Sequence, residues 1–195
     1  MKKALIPALT ALVLAAGATP ALAGTTACSG AATSPIFSPW GDVAAYAPFQ
    51  GAGFESGASG WSWGGKASIV SGDDGLLVGA VGSHAVSIPA GGVAKSPWLC
   101  VDSTMPSMRF MVRRVSGTGS LIVLGTLAGK SGLPLTTVAT VTGSDAWQPS
   151  DVVYFPSSLT SLVASAGLNA QFQFVADAGT VYRIDDVYMD PYKTR

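Results

Sequence analysis

Side chains able to move protons or bind metals through nitrogen are scarce in this chain. His84 is the sole histidine, so a zinc site of the His-x-x-x-His kind cannot form. A Ser-His-Asp relay would have to run through His84, and no Gly-x-Ser-x-Gly elbow is present to present the serine. Gly129-Lys130-Ser131 matches the end of a phosphate loop, but Leu124 stands where the first glycine is required. Glu55 is the only glutamate, and the aspartates lie mostly beside Gly, Pro or Ser in turn-like stretches. Glycoside hydrolysis needs two carboxylates across a cleft, one with a raised pKa, and nothing in the spacing arranges such a pair. The sequence therefore argues against an enzyme, with a hydrolase built around His84 the remotest reading.

Residues suited to recognition are better represented. Trp63, flanked by Ser62 and Gly64-Gly65, and Trp98, between Pro97 and Leu99, are loosely constrained indoles. An exposed indole packs on the C–H face of a sugar ring while neighbouring polar groups take the hydroxyls. Trp61 and Trp147, set between turn residues and strands, read instead as plugs of the core. Alternation along Met108–Arg113 turns Met108, Phe110 and Val112 inward and Arg109, Met111 and Arg113 outward. Along Ala170–Val175, Phe172 and Phe174 face in while Gln171 and Gln173 face out. If the two strands share a sheet, Arg109, Arg113, Gln171 and Gln173 form one polar surface suited to hydroxyls and carboxylates. The plainer alternative is a solvated sheet face, which antiparallel sheets commonly have.

The elements that would position these groups are short strands separated by Gly, Pro and Asp turns. Segments at Ala67–Val70, Leu76–Gly79, Ala85–Ile88, Met108–Arg113, Ser120–Leu124, Thr136–Thr142, Val152–Phe155, Ala170–Val175 and Val181–Met189 carry strand patterns. Only Ser157–Gly167 has helical spacing, enough for one short turn. The pattern predicts an all-β fold, an antiparallel β-sandwich or a barrel.

The chain of 195 residues opens on Met1-Lys2-Lys3, an apolar run from Ala4 to Ala16 and a small-x-small Ala21-Leu22-Ala23. This predicts a signal peptide over residues 1–23, cleaved near Ala23, and a secreted product. No later stretch offers the roughly 18 apolar residues of a membrane-spanning helix. Without Lys2 and Lys3 the neutral chain becomes slightly acidic, which argues against nucleic acid as a partner. Residues 24–50 are rich in Ala, Ser, Thr and Pro, with Phe37, Trp40, Tyr46 and Phe49 interspersed, and read as an irregular N-terminal arm. The domain proper is expected over residues 51–192. Cys28 and Cys100 are the two cysteines; export favours a disulfide between them over lipidation of Cys28, which lacks a preceding aliphatic residue.

Several motifs, taken in order, resemble carbohydrate-binding modules of the galactose-binding-like jelly-roll fold. They are Phe54-Glu55…Gly60-Trp61, Ser83-His84-Ala85-Val86-Ser87-Ile88, Ala146-Trp147-Gln148 and Tyr182-Arg183-Ile184-Asp185-Asp186-Val187-Tyr188-Met189. The likeness spans residues 51–190. It implies a jelly roll and a non-catalytic module that binds carbohydrate or another cell-envelope or extracellular polymer. It also implies a structural calcium near the first and last strands, with Glu55 and Asp185 at the matching positions and carbonyls of the glycine-rich turn completing the shell. Asp185 and Asp186 point to opposite faces of a regular strand, so both can serve one ion only at a bulge. The competing reading is a structural or adhesion protein acting through protein contacts at an exposed apolar patch around Phe37, Trp40 and Tyr46.

Overall fold

The structure, a computed structural model, describes residues 32–75, 82–101, 107–128, 135–155 and 168–190. The proposed signal peptide, Cys28, the strand expected at Leu76, the motif at Gly129 and the helical turn at Ser157–Gly167 lie outside them.

Alternating apolar residues and glycine turns produce two antiparallel sheets. The first contains β3 (Ser68–Ser71), β4 (His84–Ile88), β7 (Ser107–Ser116), β10 (Gln148–Pro149) and β13 (Val181–Asp190), in the order β10-β7-β13-β4-β3. Two short strands join it at its ends: β1 (Ala47–Pro48) on β13 and β11 (Val153–Tyr154) on β7. The second contains β2 (Ser62–Gly64), β5 (Val93–Lys95), β8 (Leu121–Leu127), β9 (Thr136–Val141) and β12 (Leu168–Ala176), in the order β2-β5-β12-β8-β9, with β6 (Leu99–Val101) also on β12. Most connections cross from one sheet to the other, as a jelly-roll sandwich requires. Among the described residues the only helical element is a single 3-10 turn, Ser38–Trp40.

The inward residues of both sheets make one core. Val86, Ile88, Phe110, Val112, Tyr182 and Ile184 from the first sheet meet Ala94, Leu121, Val123, Phe172 and Phe174 from the second. Phe110 and Phe174 meet edge-on, with centroids 5.2 Å apart. Trp61 closes one end as expected: its ring is buried and its Nε1–H donates to the Gln50 carbonyl at 2.9 Å. The glycine-rich loop that delivers it makes a tight approach at Gly51, whose φ is +66° and where a Cβ would lie 2.6 Å from the Ser59 nitrogen. Only glycine meets both conditions without strain.

A second, smaller cluster lies on the outside of the first sheet. Met111 does face outward, as alternation predicts, yet it is fully buried. Phe37, Ala44 and Tyr46 of the arm cover it together with Tyr188, and Trp147 packs at the side. The arm therefore docks, and its last residues enter the sheet as β1, pairing Ala47 with Met189 and Pro48 with Tyr188. This corrects the expectation of an exposed apolar patch: Phe37 and Tyr46 have no exposed surface, and of that trio only Trp40 reaches solvent.

Arg109 holds the arm. Its Nη1 donates to Asp42 Oδ2 at 2.7 Å, its Nε donates to the Ser150 carbonyl at 2.7 Å, and its guanidinium lies 5.0 Å from the Phe37 ring centroid. Tyr46 Oη donates to the same Asp42 oxygen at 2.6 Å. Burial by itself would raise the Asp42 carboxyl, but the bonds from Tyr46, Ala44 and Arg109, with the Arg109 charge, outweigh it and lower the pKa. Because both charges are largely sheltered, removing one leaves the other stranded. Arg109→Met should therefore lower the unfolding free energy by about 2–4 kcal/mol in urea titrations. The double variant Asp42→Asn/Arg109→Met should lose less than the sum of the two single changes.

Candidate functional site

Three regions hold the residues singled out by chemistry. The first is a knot at one end of the first sheet. Glu55, on the glycine-rich loop, reaches the start of β4: Oε1 accepts from the Ser83 and His84 amides, both at 2.7 Å. Oε2 accepts from Ser83 Oγ at 2.9 Å and lies 3.1 Å from His84 Nδ1. Burial opposes ionisation of Glu55, yet these four bonds prevail and bring its pKa down to about 2. Ser83 Oγ and Glu55 Oε2 both approach His84 at Nδ1, at 2.8 and 3.1 Å. A serine relay needs the nucleophile and the acid on opposite ring nitrogens, so this trio is a loop clamp and no relay.

Next to the clamp, β13 is irregular. Its register against β7 shifts between Asp185 and Tyr188, and Asp186 sits at φ +47°, a left-handed conformation uncommon outside glycine. This is the bulge that regular alternation lacks, and it leaves both Asp185 and Asp186 buried. Asp185 Oδ1 accepts from the Asp186 amide at 2.8 Å. Burial, then the Asp186 charge, push the Asp185 pKa up to about 9. Burial, then the charges of Asp74, Asp73 and Glu55, push Asp186 up to about 8.

The oxygens here are hard donors of the type calcium takes. Among the described residues no three Asp, Glu, His or Cys side chains converge as metal ligands. A cation here would be held by the buried pair Asp185 and Asp186. Glu55, expected as a ligand, already has both oxygens committed to Ser83 and His84.

The arginine–glutamine surface expected from alternation does not form. Arg109 and Arg113 are on β7 of the first sheet, while Gln171 and Gln173 are on β12 of the second. The sandwich core separates them, so they face opposite directions. Arg109 is consumed by the arm. Arg113 stays half exposed, its Nε donating to the Asp145 carbonyl at 2.7 Å. Trp63 turns inward instead of outward: its ring stacks on Trp61 at 6.3 Å and 19° and packs against the core.

Trp98, Gln171 and Gln173, in contrast, come together. On the outer face of the second sheet, register lines up Ser62, Lys95, Gln173, Leu124 and Thr137 across five strands. Gln171 lies two residues along, opposite Thr126, and donates to the Ser96 carbonyl at 3.0 Å. Leu99 pairs with Ala170, so Trp98 falls beside Gln171, with 49% of its surface exposed. Lys95 was missed by the sequence reading; its place in the row depends on strand pairing, which the short Val93–Lys95 segment does not advertise.

In calcium-free solution the buried aspartates give a definite pH response. An unfolded aspartate ionises near its ordinary value of 3.8, whereas Asp185 and Asp186 in the fold hold protons to about 9 and 8. Their contribution is fully present below pH 3.8 and is lost as pH rises through 8 to 9. Thermal melts should show Tm falling by about 5 °C or more between pH 6 and 9. Asp185→Asn should flatten that slope.

No protein-family model matches the chain, and no curated protein matches it. Solved structures of similar shape include the C-terminal family 22 carbohydrate-binding module of Clostridium thermocellum Xyn10B, 16% identical over 73% of this chain and 93% of that one, TM-score 0.49. The CBM22-1 xylan-binding domain of Paenibacillus barcinonensis Xyn10C is 13% identical over 70% of this chain and 88% of that one, TM-score 0.46. The match to the CBM22-1–GH10 modules of Clostridium thermocellum Xyn10B is 14% identical, TM-score 0.47, and covers 70% of this chain but 27% of that one. A shared sandwich does not carry a ligand from one protein to another. What those modules bind is said of them alone.

Proposed function

We propose that the protein is a secreted, non-catalytic jelly-roll module that binds carbohydrate or a related cell-envelope or extracellular polymer on the outer face of the second sheet. One observation carries this reading: an exposed Trp98 beside Gln171 on the outer face of the second sheet, with Gln173 two residues along the same strand. The indole supplies an apolar platform for a sugar ring, and the amides with Lys95 supply donors and acceptors for its hydroxyls. The carbohydrate-binding modules of similar shape support the same direction. Affinity electrophoresis in gels containing neutral polysaccharides such as xylan tests it. Retardation of the native protein should weaken about tenfold or more in Trp98→Ala, a typical loss for an aromatic anchor. No retardation by any neutral glycan, with the protein folded, ends this reading.

Export through a signal peptide ending near Ala23 belongs to the same proposal, as does a bridge between Cys28 and Cys100. Among the described residues no cysteine is free. Intact-mass measurement of the secreted protein before and after reduction should show a gain of about two hydrogens. A structural calcium at Asp185 and Asp186 is the third element, supported by two buried carboxyl groups on one bulge. Millimolar calcium should raise Tm, chiefly above pH 7 where those carboxyls must otherwise ionise unaided, and Asp186→Asn should abolish the gain.

A further inference from the structure

We propose that Arg113 and Arg183 form an oxyanion-binding site on the outer face of the first sheet, built for the carboxylate or phosphate groups of a charged polymer. The two residues are direct cross-strand partners on β7 and β13, and both are half exposed. On its other side Arg183 is opposite Ser87 of β4, and Ser87 is opposite Ser68 of β3. One row across four strands thus presents two guanidiniums and two hydroxyls, with no apolar side chain among them. Directly opposed residues lie about 5 Å apart at Cβ, so two planar forks can converge on one oxyanion.

Among the described residues each guanidinium makes one hydrogen bond. Arg113 Nε donates to the Asp145 carbonyl at 2.7 Å, and Arg183 Nη1 donates to the Ser71 carbonyl at 3.4 Å. A guanidinium has five N–H donors, so most of each fork is left for a ligand. Among the described residues the ion pairs are His84–Glu55 and Arg109–Asp42, and neither of these arginines takes part. Asp185, the next outward residue on β13, is buried and accepts from the Asp186 amide instead. Like charges placed opposite each other in a sheet are destabilising. The contrast with Arg109, two turns of the pleat nearer the arm and fully engaged there, is informative. The same strand face uses one arginine for structure and leaves its neighbour available.

This site is on the opposite side of the sandwich from Trp98 and does not depend on the neutral-glycan reading. Affinity electrophoresis at low ionic strength with EDTA present, against polygalacturonate, polyphosphate and neutral xylan, tests it. The native protein should be retarded by polygalacturonate, by polyphosphate or by both, which identifies carboxylate or phosphate as the preferred source. Retardation should fall with added salt and drop about tenfold or more in Arg113→Gln/Arg183→Gln. Trp98→Ala should leave it unchanged, separating this site from the other face. Thermal melts without polymer should show Tm unchanged or raised in Arg183→Gln, since the opposed charges are relieved. No retardation by either anionic polymer, equal retardation of the double variant, or a lowered Tm in Arg183→Gln would overturn the proposal.

Discussion

Two adjacent buried carboxylates on the last strand set the constraint around which this sandwich is built. β13 is central in its sheet and is buried on both faces over its second half, so neither Asp185 nor Asp186 can reach water by simple alternation. The chain answers with a bulge and a left-handed Asp186. Burial, and after it the charges of neighbouring carboxylates, raise both pKa values, and the glycine-rich loop with Glu55 packs close beside them. Gly53 of that loop lies beside the pair: a Cβ there would sit 3.5 Å from Asp186 Oδ1, an ordinary van der Waals distance. The bulge also re-aims the residues that follow, turning Val187 and Met189 into the main core and Tyr188 to the other side.

That re-aimed Tyr188 explains the arm. With Met111 it makes an apolar patch on a sheet face that would otherwise be wet, and Phe37 and Tyr46 cover it. The ion pair between Arg109 and Asp42 then fixes the cover in place. The first sheet consequently has two unlike halves on one face, a dry half under the arm and a wet half with Arg113 and Arg183. The second sheet has no such cover among the described residues and offers a mostly polar row, broken by Leu124, with Trp98 at its margin. The scaffold thereby gains two chemically distinct exteriors.

Much of this was legible from residue order. Alternation at Met108–Arg113 and Ala170–Val175 identified strands and inward residues, and Val181–Met189 showed as a strand, because a period of two is a local property of the backbone. Trp61 was recognisable as a plug from the glycine turn before it. The strands β1, β2, β5, β6 and β10 escaped notice because two or three residues are too short to show a period, and their existence depends on a partner strand. The same limit hid Lys95.

The residue pattern by itself determined the all-β class, the facing of the strands at Met108 and Ala170 and the poverty of catalytic groups, since all three follow from side-chain type and spacing. Only the tertiary structure decided which strands share a sheet. That assignment divided Arg109 and Arg113 from Gln171 and Gln173, turned Trp63 into the core and set Arg113 against Arg183. The physical reason is that strand pairing is a contest between distant segments, decided by how whole faces bury together, and no window along the chain contains both contestants.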